Sequence, residues 1–146
     1  MELEKLVKLL KENKVDFVII GATAFPVYGY VRATLDVDIF IRPTLDNAKN
    51  CYNALKKFGY DLQNLKIKDF LKKKILIRQY ILEVDIHPFV KGVEFEEVWK
   101  NKKHAKIGKT YAYFASLEDL IKMKKASARV KDKEDLKYLI RLQQKK

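Results

Sequence analysis

Apolar residues recur along this chain with two spacings, one typical of helices and one typical of strands. In the first 14 residues, "MELEKLVKLLKENK", the leucines recur at helical spacing. This pattern predicts an amphipathic helix that ends near Asn13 and Lys14. The aliphatic stretch 15–20 then predicts a strand, which Gly21 follows directly. A tight turn and a short helix beginning at residues 22–24 are expected next. The backbone N–H groups of such a turn can contact an anion.

The stretch "RATLDVDIFI", residues 32–41, alternates with the period of two that is typical of a strand. The pattern places Asp36 and Asp38 on one face, together with Phe40 and Arg42. Two like charges on one face of a strand are costly to bury unless they share a cation. The opposite face is expected to point toward a core and carries four aliphatic residues: Leu35, Val37, Ile39 and Ile41.

The same pattern returns in "YILEVDIHPF", where residues 81–87 are predicted to form a strand after another at 74–79. Asp85 lies on its polar face between Glu83 and His87. If this strand neighbours the earlier one, Asp36, Asp38 and Asp85 converge. Glu83 is interpreted as a salt-bridge partner, and His87, like His104, as an ordinary histidine without ligand spacing.

The remaining pattern completes a small mixed α/β (α+β) domain. Thr44 caps a helix that Gly59 ends, while 61–74 gives no clear element. A short helix is predicted over 94–100 and strand character in "AKIGKTYAYFA"; Ser116 and Asp119 open the first of two C-terminal helices. We therefore expect a single domain over 1–146, with four to five strands and the helices from about 116 packed on the sheet.

Composition excludes several classes of protein. Hydrophobic residues make up 48% and charged residues 34%, which is too apolar for a disordered chain, and no apolar run approaches the roughly 18 residues of a membrane span. The single cysteine, Cys51, excludes an internal disulfide and a thiolate cluster. Because the first residues lack a signal-peptide pattern, a cytoplasmic protein without membrane contact is expected.

The charge balance favours anionic partners. Thirty-one Lys and Arg against nineteen Asp and Glu give a net charge of +12, which attracts polyanions such as RNA, DNA or nucleotides. A solvated lysine surface is an equally simple interpretation. Four tyrosines could stack on bases, although packing at the rim of the core is the more common role: Tyr28, Tyr30, Tyr111 and Tyr113.

Three converging carboxylates suit Mg²⁺, a hard cation that completes its coordination shell with water and substrate phosphates. Two such ions, about 3.5–4 Å apart, would stabilise the attacking and leaving oxygens of a phosphoryl transfer. A polyphosphate is then the natural substrate. Its charge could be met by the backbone amides after Gly21 and by Arg32, or Arg32 could instead neutralise the aspartates.

These residues together resemble the nucleotidyltransferase superfamily with the DNA polymerase β palm fold. More narrowly, "GATAFPVYGYVRATLDVDIFI" and "SLEDLIKMKKASARVKDKEDLKYL" are similar to small nucleotidyltransferases related to AbiEii-type toxins. The similarity covers residues 15–43, 81–88 and 116–139. Its motif residues are Gly21, Ala22, Arg32, Thr34, Asp36, Asp38 and Asp85.

The resemblance implies a mechanism. Asp36 and Asp38 would bind the metal ions, Mg²⁺ or Mn²⁺, that bridge a nucleoside triphosphate. Asp85 would ligate the second ion and help to deprotonate the acceptor hydroxyl. Gly21 and its neighbours Ala22 and Thr23 would hold the triphosphate. With less weight, the family's later motif assigns positions near the nucleotide or the acceptor to Lys124, Arg129, Lys131 and Asp132.

One departure from the family pattern bears on activity: Ala22 stands where relatives carry Gly or Ser, so a hydroxyl that could contact a phosphate is missing. Thr23 or the backbone amides could substitute for it. The expected function is transfer of a nucleoside monophosphate to an acceptor hydroxyl. RNA such as a tRNA end is favoured over a small aminoglycoside-like molecule, whose positive charge the basic surface would repel, and a protein hydroxyl stays open as an acceptor. A toxin–antitoxin setting is suggested. The alternative is an inactive nucleic-acid-binding or protein-interaction module with the same fold.

Overall fold

The computed structural model describes residues 1–79, 81–127 and 129–145. Within these ranges, no helix is both long enough and apolar enough to cross a bilayer. Short 3₁₀ helices lie at Gly21–Thr23, Phe25–Tyr28 and Ile67–Leu71. The longer elements, in chain order, are α1 (Glu2–Glu12), β1 (Phe17–Ile20), β2 (Asp36–Ile41), α2 (Leu45–Phe58), β3 (Ile75–Ile77), β4 (Glu83–His87), α3 (Phe95–Asn101), β5 (Lys103–Ile107), β6 (Thr110–Phe114), α4 (Leu117–Ala126) and α5 (Val130–Gln144).

The described strands form one mixed sheet in the order β3-β4-β2-β1-β6-β5. β2 pairs with β4, and β1 with β6, in parallel, whereas β1/β2, β3/β4 and β5/β6 are antiparallel. The predicted mixed fold is confirmed, but six strands replace the expected four to five. The extra strand arises because Gly108, at a φ of +60°, turns "AKIGKTYAYFA" back on itself as a hairpin.

Helix ends follow the local signals in the sequence. The Thr44 hydroxyl accepts a hydrogen bond from the backbone N–H of Asn47, and Gly59 ends α2 at a φ of +114°. The Ser116 hydroxyl accepts from the N–H of Asp119 at 3.1 Å and begins α4. These predicted caps are confirmed.

The strand β1 lies in the middle of the sheet and is covered on both faces, since all four of its residues are buried. In β2, Val37, Ile39 and Ile41 are buried as predicted. Leu35 is 90% exposed, so its predicted core position is wrong; it precedes β2 and lies beyond the ladder with β1, whose last pair is Ile20 with Asp38. Phe40 is also buried, although its face was expected to be polar, because the ring of Phe95 packs against it at 5.2 Å.

Candidate active site

The two acidic strands are neighbours, as the convergence of the three carboxylates requires. β2 and β4 run parallel, and Asp38 lies directly opposite Asp85. Asp36 is opposite Glu83, and Phe40 is opposite His87. Neighbouring strands in a sheet lie about 4.7–4.9 Å apart, so the register alone brings Asp38 and Asp85 together.

Asp38, Asp85 and His87 form a cluster that could hold a metal ion. One ligand atom from each side chain lies within 4.8 Å of the other two, and His87 Nε2 is 2.8 Å from Asp38 Oδ1. Asp85 is buried, whereas Asp38 and His87 are partly exposed and therefore accessible to substrate. The two carboxylates suit Mg²⁺ or Mn²⁺ with a shell shared with a substrate, and the imidazole is a ligand more typical of transition-metal ions than of Mg²⁺.

His87 was missed as a candidate ligand because no second histidine or cysteine stands at ligand spacing from it. The usable signal was its position two residues after Asp85, which places both side chains on one face of a strand. The neighbouring strand β2 adds what the sequence does not show, because it brings Asp38 within hydrogen-bonding distance of the imidazole.

Asp36 is joined to the site through an arginine. Arg78 donates from Nη2 to Asp36 Oδ2 at 3.2 Å and from Nη1 to Asp85 Oδ1 at 2.5 Å. One guanidinium thus neutralises part of the negative charge of two carboxylates. Among the described residues, the three-ligand cluster does not include Asp36.

Gly21 is held against Asp38. Its φ is +69°, and a Cβ at this position would lie 2.5 Å from Asp38 Oδ2. A side chain here would therefore be strained and would also push the carboxylate from its place. Ala22 and Thr23 follow in the same 3₁₀ turn, where Ala22 is buried.

A cavity of about 540 Å³ opens beside the cluster. Gly21, Asp38 and His87 form part of its wall. Basic side chains surround the rest, and apolar side chains from the loop after β4 and from α4 contribute to it. These basic and apolar residues are Lys74, Lys91, Lys124, Arg129, Phe89, Val90, Leu120 and Met123.

Lys124 reaches this cavity while held by two buried carboxylates. Its Nζ is 2.7 Å from Asp132 Oδ1 and 3.2 Å from Asp135 Oδ2. Burial by itself would raise the pKa of Asp132, but hydrogen bonds from Lys124, Ser127 and Arg129 outweigh it and hold that pKa well below its ordinary value. The later family motif thus fixes the Lys124 ammonium at the cavity wall. Lys131 is exposed on α5.

Arg32 lies in the same ion network rather than in the cavity wall. It donates from Nε and Nη2 to the two oxygens of Asp135, at 2.8 and 2.9 Å, and Tyr30 donates to Oδ1 at 3.0 Å. Burial would raise the pKa of Asp135, but the bonds from Arg32, Tyr30 and Lys124 lower it. These contacts tie the loop before β2 to α5. A role of Arg32 in phosphate binding stays a prediction.

Comparison with known proteins decides the family. A model of the family described as "Nucleotidyl transferase of unknown function (DUF2204)" matches residues 1–146. The chain is a member of this nucleotidyltransferase family. Its fold is similar to that of a candidate nucleotidyltransferase from Thermotoga maritima, known from a crystal structure, with a TM-score of 0.63 and 19% identity over 95% of this chain and 90% of that one. No curated protein matches the chain.

For this nucleotidyltransferase family member, the predicted superfamily and fold are confirmed. The narrower similarity to AbiEii-type toxins stays a prediction. The structure brings Gly21, Asp38 and Lys124 to one cavity, and Asp85, which is not among its lining residues, lies opposite Asp38 on the neighbouring strand. Asp36, Ala22, Thr23 and Arg32 lie outside the residues that line it.

Proposed function

We propose that this protein is a metal-dependent nucleotidyltransferase that transfers a nucleoside monophosphate from a nucleoside triphosphate to an acceptor hydroxyl and releases pyrophosphate. The observation that carries the proposal is the cluster of Asp38, Asp85 and His87 at a cavity with basic walls. Family membership supports the reaction class. The metal, the nucleotide and the acceptor go beyond what family membership gives.

Asp38, Asp85 and His87 would hold the divalent ion, with Asp36 next to them. When bound, Mg²⁺ or Mn²⁺ supplies charge stabilisation to the phosphates and lowers the pKa of a bound hydroxyl. To Asp85, which lies opposite Asp38 on the neighbouring strand, we also assign the acceptance of the proton from the acceptor hydroxyl.

The triphosphate would lie between Gly21 and Lys124. The Lys124 ammonium is oriented by Asp132 and Asp135, so it can contact a phosphate without losing its position. Arg129 adds a second cation at the same wall. The apolar residues Phe89 and Met123 offer the surface that a nucleoside needs.

An RNA acceptor is supported by the net charge and by aromatic residues on the β5–β6 hairpin and at the end of α3, which precedes it. His104 stacks on Tyr111, with ring centroids 4.7 Å apart, and Lys106 Nζ lies 5.6 Å from the Tyr111 ring centroid. Lys102 Nζ lies 4.0 Å from the centroid of Trp99. Cations interleaved with rings suit single-stranded nucleic acid, since bases can stack on them. A toxin role opposed by a cognate antitoxin protein is the biological setting that we propose for transfer to tRNA.

A second candidate function is an inactive module that binds nucleic acid with the same fold. It is favoured by Ala22, whose buried methyl group provides no hydroxyl for a phosphate. Such a module would keep RNA binding and lack transfer.

Incubation with each labelled nucleoside triphosphate, Mn²⁺ or Mg²⁺ and total RNA tests the two candidates. We expect label transfer by the wild type, its loss in Asp38→Asn and Asp85→Asn, and no change in Asp46→Asn, whose carboxylate is exposed on α2. Transfer that disappears after oxidation of the RNA 3′ hydroxyl would identify an end-modifying enzyme. Wild-type protein that binds RNA but transfers no label under any condition would support the inactive module.

A further inference from the structure

Arg78 is placed by the sheet on the face that carries the acidic residues. It follows β3 directly, and Leu76 of β3 lies opposite Asp85. Because strand side chains alternate between faces, Arg78, two residues after Leu76, extends from the same face as Asp85. Ile75 and Ile77 point to the core on the other face and are buried.

The guanidinium of Arg78 bridges Asp36 and Asp85, the two carboxylates of the acidic face that do not hydrogen-bond to His87. Its two terminal nitrogens each contact a different carboxylate, Asp36 Oδ2 at 3.2 Å and Asp85 Oδ1 at 2.5 Å. His87 contacts the third carboxylate, that of Asp38. Each of the three acidic groups therefore has a cationic or imidazole partner supplied by the chain itself.

An ion bridging Asp36 and Asp85 would need the space that the guanidinium fills. Mg²⁺ binds carboxylate oxygens at about 2.0–2.1 Å, so an ion shared by these two oxygens would lie between them. Asp85 has a second oxygen, which leaves it free to act with Asp38 and His87 toward another ion. One ion and one arginine can therefore be accommodated together, whereas two ions and Arg78 compete.

We infer that Arg78 takes the place of a second divalent ion between Asp36 and Asp85, so that the chain binds one ion, at Asp38, Asp85 and His87. This inference rests on the proposed metal-dependent function. Arginine suits the role because its planar fork contacts two oxygens at once and stays charged throughout the accessible pH range.

The test is the stoichiometry of Mn²⁺ binding, measured by isothermal titration calorimetry with Mn²⁺ alone and checked by electron paramagnetic resonance. We expect one ion per wild-type chain and two in Arg78→Gln, with the spin coupling of two neighbouring Mn²⁺ ions in the variant. Arg78→Lys should keep one ion because it retains the charge. Arg78→Gln with Asp36→Asn should return to one ion because the second site loses its own ligand.

Arg141→Gln is the matched control, since this arginine stacks over Tyr138 on α5 and does not contact the acidic residues. It should bind one ion. Two ions in the wild type, or one in Arg78→Gln, would overturn the role of Arg78 and leave the proposed function intact. No Mn²⁺ binding by the wild type would overturn both. Arg78 is about two-fifths exposed, so its variants are expected to fold, which thermal unfolding would verify.

Discussion

His87 Nε2 lies 2.8 Å from Asp38 Oδ1 and joins two neighbouring parallel strands, β4 and β2, on which the two residues are 49 positions apart along the chain. Phe40 is the residue directly opposite His87, so the imidazole reaches diagonally along the ladder toward Asp38. This contact makes His87 part of the acidic site.

Removing the imidazole should weaken metal binding. Removal of a residue that only hydrogen-bonds to a metal ligand typically lowers metal affinity by roughly 10- to 100-fold. We expect His87→Ala to lower Mn²⁺ affinity by at least this much, because His87 is proposed to be a ligand itself. Calorimetric titration of the purified variant measures it. His104→Ala is the control, because His104 is exposed on β5 and stacks on Tyr111. Equal affinity of both variants and the wild type would exclude His87 as a ligand.

A methyl group at Gly21 should damage the site as well as the fold. Gly21→Ala places a side chain at φ +69°, which costs about 1–2 kcal/mol, and moves the Asp38 carboxylate. Gly29→Ala is the matched control, since Gly29 has a φ of +93° but nothing within 4 Å of its added Cβ. Both variants should lose similar stability in urea unfolding, and only Gly21→Ala should lose Mn²⁺ affinity. An equal loss of Mn²⁺ affinity in Gly21→Ala and Gly29→Ala would contradict a specific effect on Asp38.

The buried ion network should contribute strongly to stability. Asp132→Asn leaves the Lys124 ammonium with Asp135 as its remaining carboxylate partner in the network, so we expect a loss of about 3 kcal/mol, the lower end of the range for breaking a buried pair. Chemical denaturation measures the loss. Glu134→Gln, an exposed change on the same helix, should alter the free energy of unfolding by less than about 0.5 kcal/mol. If Asp132→Asn lowered the free energy of unfolding by no more than Glu134→Gln does, the network would not be stabilising.

The same carboxylates should make the fold sensitive to acid. The pKa values of Asp132 and Asp135 are lowered in the fold, so their contribution is present above the unfolded-state value of about 3.9 and is lost as the pH falls through the folded-state values. The free energy of unfolding should therefore decrease below about pH 4. Asp132→Asn should show a shallower decrease at the same ionic strength. A slope identical to that of the wild type would contradict the assignment.

Tyr111 should contribute to RNA binding if the hairpin surface contacts single strands. Tyr111→Ala should weaken binding of a single-stranded oligoribonucleotide by about 1–3 kcal/mol, the range for one stacked base. Fluorescence anisotropy at two salt concentrations measures it. Tyr138→Ala is the control matched in exposure, since both residues are 42% exposed, and Tyr138 lies on α5 against Tyr30. Equal losses in the two variants would place the binding surface elsewhere.

Much of this molecule could be predicted from local pattern. The caps at Thr44 and Ser116 depend on residues within one turn of each other. The acidic face of β2 and that of β4 follow from the period of two, which a strand imposes whatever surrounds it. Gly21 could also be recognised locally, because it directly follows the aliphatic stretch of β1 and marks a turn.

Other features depend on contacts between distant segments, which pattern does not contain. Phe40 is buried on a face that otherwise carries acids because Phe95 of α3 covers it, and Leu35 is exposed because it begins before the ladder does. Arg32 faces Asp135, more than a hundred residues later, so its partner could not be inferred from neighbouring residues.

The sequence by itself determined which side chains share a strand face, where helices begin and end, and which family motifs are present, because these depend on backbone periodicity and on hydrogen bonds within a few residues. Only the tertiary structure decided that His87 joins Asp38, that Arg78 lies between Asp36 and Asp85, and that Lys124 is held at the cavity by α5. Those contacts arise from strand order and helix packing, which bring charges together regardless of their separation along the chain.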